Sequence, residues 1–114
     1  GIQRPSRVAQ ACRAAERAFE MVKSAHQHRR RMHAAYKHQE TELALLVKSL
    51  PDSEEVDGLE ELNYFSPARI WQLDVTATKR ELSNCERKLD GALDLEAAAV
   101  HDHLLSLLQV ADLV

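Results

Sequence analysis

The chain is predicted to be all-α: an elongated antiparallel helical coiled coil, a three-helix bundle with a short third helix. Three observations predict it. Only three glycines and three prolines occur in 114 residues, too few turn-formers for an all-β fold. Apolar side chains recur at steps of four and three, the spacing of a coiled-coil seam. Helix start signals, a serine beside a proline, stand at Pro5-Ser6 and again at Ser66-Pro67. Aromatics are only 4% of the chain, so burial falls to a thin line of Leu, Val and Ala, which favours a rod.

The first helix is expected over about residues 6–50, with Ser6 as its N-cap. Its seam reads Val8, Cys12, Ala15, Phe19, Val22, His26, Arg29, His33, Tyr36, Glu40, Leu43, Val47 and Leu50. Pro51 ends it, because proline lacks an N–H and clashes with the preceding turn. Residues 51–66 form an acidic connection in which Val56, Leu59 and Leu62 are spaced as on one helical turn, while Tyr64, Phe65 and Trp71 anchor it to the helix tips. Helix 2 starts at Pro67, a favoured first-turn position.

The second seam reads Ala68, Trp71, Val75, Thr78, Leu82, Cys85 and Leu89. Beyond Leu89 the leucines continue as Leu93, Ala97, Val100, Leu104 and Leu107 only if an extra residue is absorbed. Asp90-Gly91 lies at that slip. Two readings follow, a kink in one long helix or a break with a third helix within 90–103, and the second is preferred. Folded antiparallel, Val47 should lie near Trp71, Phe19 near 97–100, and His26, Arg29 and His33 opposite Cys85 to Gly91.

Net charge is −3, unevenly spread. Residues 1–50 carry ten bases against four acids, residues 51–65 six acids and no base, and residues 67–114 five bases against eight acids. A basic first arm and an acidic remainder attract each other when folded back, and the same arm suits an acidic partner. Arg29, Arg30, Arg31 and Lys37 are therefore the candidate partner-binding residues. A sequence pI near 6.1 without interleaved aromatics argues against nucleic acid. No run of 18 apolar residues offers a membrane span, and the N-terminus lacks the apolar core of a signal peptide. The two cysteines, Cys12 and Cys85, read as small buried hydrophobes in a reducing compartment, hence a cytoplasmic location.

Six histidines raise the question of a metal, but His26 and His28, His33 and His38, and His101 and His103 are spaced two or five apart, not the four that places a pair on one helical face. They read as solvated or seam-edge residues, with pH-sensitive stability expected at His26 and His33. The acidic connection lacks the alternating pattern of a calcium loop. Phosphate loops, nucleophile elbows and paired-carboxylate motifs are missing too, so neither catalysis nor a cofactor is expected.

A basic first helix, an acidic connection, Asn63-Tyr64, Gln72, Cys85-Glu86-Arg87-Lys88-Leu89 and Leu93-Asp94-Leu95 together resemble the tubulin-binding cofactor A family over roughly residues 7–101. That resemblance implies a three-helix coiled-coil rod that takes up β-tubulin released from the cytosolic chaperonin and holds it for α/β-heterodimer assembly. It implies a cytoskeleton-associated protein, monomeric or weakly homodimeric, needing no nucleotide or metal. A generic coiled-coil adaptor or a subunit of a larger assembly is the alternative, with an obligate partner helix as its distinguishing feature. A nucleic-acid-binding hairpin is a third reading, distinguished by steep salt sensitivity.

Overall fold

A computed structural model describes residues 6–50 and 66–114 of the chain. They form two α-helices, α1 (Arg7–Lys48) and α2 (Pro67–Leu113). Tertiary contacts divide the chain into two units, Gly1–Met32 with Leu89–Val114, and His33–Lys88. Each pairs a stretch of α1 with an antiparallel stretch of α2.

Both helix starts form as their sequences predict. The Ala9 N–H donates to Ser6 Oγ at 3.0 Å, and the Gln10 N–H donates to the Ser6 carbonyl at 3.0 Å. Ser66 repeats the arrangement, accepting the Arg69 N–H on Oγ at 3.2 Å and the Ile70 N–H on its carbonyl at 3.0 Å. Helix N-termini leave four N–H groups without intrahelical partners, and these caps satisfy some of them. Ser66 is buried, unlike Ser6.

In the unit His33–Lys88, the seam of α1 consists of Tyr36, Gln39, Leu43 and Leu46. Ala68, Trp71, Val75, Thr78, Leu82 and Cys85 of α2 make the other side, every one of them a position expected from spacing. The Trp71 indole donates to the Leu46 carbonyl at 2.7 Å. This carbonyl belongs to the last turn of α1, where no intrahelical donor is available; Ser49 supplies further donors, its N–H at 3.1 Å and its hydroxyl at 2.9 Å. A single tryptophan thus caps one helix while packing from the other. Val47, expected near Trp71, is one residue from this contact and half exposed. The connection 51–65, with Val56, Leu59, Leu62, Tyr64 and Phe65, lies outside the described residues.

In the other unit, the α1 seam is Ala11, Ala15, Ala18, Val22, Ala25, Arg29 and Met32. Leu89, Ala92, Glu96, Ala99, His103, Ser106 and Val110 of α2 line it opposite. Steps of four and three are kept throughout, but four of the seven α1 positions fall one residue earlier than expected. Ala11, Ala18, Ala25 and Met32 occupy the seam, and Cys12, Phe19, His26 and His33 flank it. The physical reason lies in size: alanines let two helices approach closely over a long stretch, which bulky or charged flanking residues do not. The register differs as well. Arg29 meets Glu96 rather than 85–91, and the Phe19 ring lies 5.3 Å from His103 rather than against 97–100.

No third helix begins within 90–103. α2 runs unbroken through Asp90 and Gly91 to Leu113, with Gly91 at ordinary helical dihedrals. The seam absorbs no extra residue there; Ala92, 1% exposed, takes the place expected of Leu93. The leucines do change phase, but the backbone does not follow them. Gly91 is exposed in a helix interior, with nothing within 4 Å of where a Cβ would stand. Gly91→Ala should therefore raise stability by about 1 kcal/mol, seen as a Tm a few degrees higher. A lower Tm would show that glycine is needed there for a bend.

Candidate protein-interaction surface

A seam repeat assigns every residue a flank. With the seam at heptad positions a and d, residues 15, 22 and 29 of α1 and 89, 96 and 103 of α2 take position a. Antiparallel helices view each other in reversed sense, so like flanks share a side of the pair. A groove lined by Ala14 and Gln109, both at position g, bears this out in the unit Gly1–Met32 with Leu89–Val114. Positions e of both helices consequently share the opposite side.

The basic cluster divides between seam and solvent. Arg29 sits in the seam, where its Nε donates to Glu96 Oε2 at 2.7 Å and both side chains are 24% exposed. His26 Nδ1 lies 3.3 Å from the same oxygen and 3.2 Å from an Arg29 terminal nitrogen. Arg30 and Arg31 are exposed. Lys37, in the other unit, is also exposed and pairs with Glu40 at 3.3 Å. Of the four predicted residues, Arg29 is thus committed within the chain, and Arg30, Arg31 and Lys37 face solvent.

Glu96 is a polar residue in an alanine seam, and its chemistry follows from its partner. The Arg29 hydrogen bond holds its carboxyl below the usual range, burial opposes that, and the charges of Arg29 and His26 add to the lowering. A polar pair at such a position fixes register at some cost in stability. The histidines expected in the seam, His26 and His33, are exposed, and His103 occupies it instead. His103 lies against Phe19 at an interplanar angle of 38°, and Lys23 Nζ sits 5.2 Å from the same Phe19 ring, a cation–π distance.

The larger feature is apolar. Leu93, Ala97, Val100, Leu104, Leu107 and Ala111 occupy positions e and b of α2, and Val114 follows directly after the helix, all apolar and all exposed. Leu93, Val100, Leu104 and Leu107 are 40–54% exposed. Leu95, Leu105 and Leu108 stand exposed around them. An apolar surface of this continuity normally marks an interaction site, and a helix apolar on most sides is normally surrounded. In the preceding stretch of α2 the same positions hold Gln72, Thr76, Lys79, Ser83, Glu86 and Asp90, all polar. Sequence spacing did detect the heptad at 93, 97, 100, 104 and 107, but assigned it to the internal seam.

Among the described residues, no three His, Cys, Asp or Glu side chains converge as metal ligands, and no helix is long and apolar enough to cross a membrane. Cys12 and Cys85 are free thiols, half-buried and buried.

The lowered Glu96 carboxyl has a pH signature. A folded value below the unfolded one gives a contribution complete above the unfolded carboxylate range, about 4.3, and lost as pH falls through the folded value. Thermal melts from pH 6 down to pH 3 should show wild type losing more Tm than Glu96→Gln across that window. Parallel loss in both proteins would show that the pair contributes nothing.

Compared with protein-family models, curated proteins and solved structures, the chain finds no significant match.

Proposed function

We propose that this chain acts by binding other proteins, as a coiled-coil adaptor or subunit whose helical hairpin is completed by helices from outside it. The exposed heptad from Leu93 to Val114 carries this reading. Six of the fourteen seam residues in the unit containing it are alanines, which remove little apolar area from water, while the leucines from Leu93 to Leu108 remain outside. Burying one leucine side chain is worth about 1.5–3 kcal/mol, so helices added on this face would contribute more than the internal seam does. On this reading the three-helix or larger bundle expected from the sequence arises by association.

A narrower reading within the same class takes β-tubulin as the client, held after release from the chaperonin on the way to the α/β-heterodimer. It is favoured by Cys85-Glu86-Arg87-Lys88-Leu89 and Leu93-Asp94-Leu95, which resemble tubulin-binding cofactor A, and by the solvent-facing charges of Arg30, Arg31 and Lys37, which suit tubulin's acidic surface. The protein would then work in the cytoplasm, without catalysis, nucleotide or metal.

Both readings are tested together by capture of purified β-tubulin and by photo-cross-linking in cell extract. A photoreactive side chain at position 104 should cross-link to discrete proteins, whereas one at the polar position 83 should not; equal labelling at both would contradict a binding face on the C-terminal half of α2. β-Tubulin should be retained at low salt, an unrelated acidic protein should not, and Arg30→Glu with Arg31→Glu and Lys37→Glu should weaken retention about tenfold or more. Unchanged retention would remove these three residues from the interface, and no retention would remove tubulin while leaving the adaptor reading.

A further inference from the structure

The exposed stripe on the second half of α2 has an internal order. Leu93, Ala97, Val100, Leu104, Leu107 and Ala111 alternate between positions e and b in steps of four and three, so they form a second seam of the same kind as the internal one. Leu93, Val100 and Leu107 stand at e, and Ala97, Leu104 and Ala111 at b. Two such seams set antiparallel about a two-fold axis bring each e residue of one helix against a b residue of the other. With the axis level with residue 102, the layers are Leu93 with Ala111, Ala97 with Leu107, and Val100 with Leu104, each formed twice. Every layer then sets one leucine opposite an alanine or a valine, the alternation of large and small that lets facing positions interdigitate.

The acids beside the stripe set the direction and register of such a pairing. Asp90, the position b before Leu93, and Asp94 at position f both border its beginning. Glu96 is held by Arg29, and Asp102 and Asp112, at positions g and c, lie away from the stripe. Two copies paired in parallel would set Asp90 against Asp90, and layers of two leucines beside layers of two alanines. Antiparallel copies carry these acids to opposite ends. The two Asp94 residues then stand about 21 Å apart along the helices at ~1.5 Å per residue, beyond the ~8 Å over which exposed charges act in physiological salt. A slip of one heptad towards the start of α2 would press Leu107 against Asp90.

We infer that a second copy of this chain covers the stripe, α2 against α2, antiparallel about a two-fold axis level with residue 102. A two-fold interface must complement itself, and the order of large and small residues from Leu93 to Ala111 meets that requirement. The inference rests on the adaptor reading and names the chain itself as its first partner. α2 alone makes the contact. The charged flank of α1, with Glu16, Lys23, His26 and Arg30, keeps to solvent, and Phe19, 46% exposed, stands at the edge. On the flank of α2 at position f, His101 falls beside the axis, so it lies next to His101 of the second copy.

Sedimentation equilibrium of the full chain from about 1 to 100 µM, the span between weak and moderate association, tests this together with cross-linking. The mass should move from 12.9 kDa towards twice that value, and the wild-type Tm should rise with concentration. In a chain carrying Cys12→Ala and Cys85→Ala, His101→Cys should be joined to its own copy by a short bis-maleimide. Asp94→Cys, on the same flank, should not. Leu104→Glu with Leu107→Glu should abolish both the mass increase and the cross-link, with helical circular dichroism retained at low concentration, where wild type is also monomeric. A monomer with a concentration-independent Tm throughout this range would overturn the inference. So would a dimer indifferent to the leucine substitutions, or one in which position 94 is joined as readily as position 101. Position-104 cross-links to other proteins from a chain that stays monomeric would sink self-association while the adaptor reading survived.

Discussion

Alanine at the helix–helix contact is the constraint on which the remaining features depend. In the unit built from the start of α1 and the end of α2, Ala11, Ala15, Ala18 and Ala25 of α1 and Ala92 and Ala99 of α2 occupy seam positions. Small side chains allow close approach, and from Ala92 to Val110 the seam of α2 holds no leucine. The leucines of α2 are consequently turned outward by one heptad position. Arg29 and Glu96 reinforce the choice: a charged pair at 2.7 Å in the seam is lost by a shift of either helix, and leaving one partner unpaired there is costly. The internal pairing is thereby well specified yet buries little, and specificity and stability are supplied by different residues.

The other unit solves the same problem with larger parts. Trp71, Val75, Leu82, Leu43 and Leu46 fill its seam, and the flank that is apolar further along α2 is polar here. One continuous helix thus carries two kinds of surface in succession. The first half keeps Trp71, Val75, Leu82 and Cys85 in the seam and polar residues at the flanking positions e and b from Gln72 to Glu86. The second half keeps alanine, glutamate and histidine in the seam and offers its leucines. Such an arrangement is understandable for a helix with one partner over its first half and more than one over its second.

Much of this was legible in the sequence. Ser6 and Ser66 cap as serines before helical runs do, and spacing gives Ala68 through Leu89 in the correct phase because Val75, Leu82, Cys85 and Leu89 are each more apolar than their neighbours. On α1 both Ala11 and Cys12, and both Ala18 and Phe19, fit an apolar repeat, and preference for the larger residue shifted half the seam by one. The same preference at Ala92 and Leu93 produced a slip, and with Gly91 nearby it became a break that the backbone does not make. Glycine lowers helix propensity without ending a helix whose neighbours pack well on both sides. Of the basic residues, spacing alone could not separate Arg29 from Arg30 and Arg31, since their difference rests on Glu96, 67 positions away from Arg29 in the chain.

The central claim is that the seam runs through Ala92 and Ala99 and leaves Leu93 and Val100 outside it. Thiol labelling tests it most directly, using single cysteines at 92, 93, 99 and 100 in a chain with Cys12 and Cys85 replaced by alanine, at sub-micromolar concentration to keep chains apart. Cysteines at 92 and 99 should react with a maleimide at least about tenfold more slowly than those at 93 and 100, as expected for sites exposed only by opening. The reverse order would place the leucines in the internal seam and remove the exposed face on which the functional account is built.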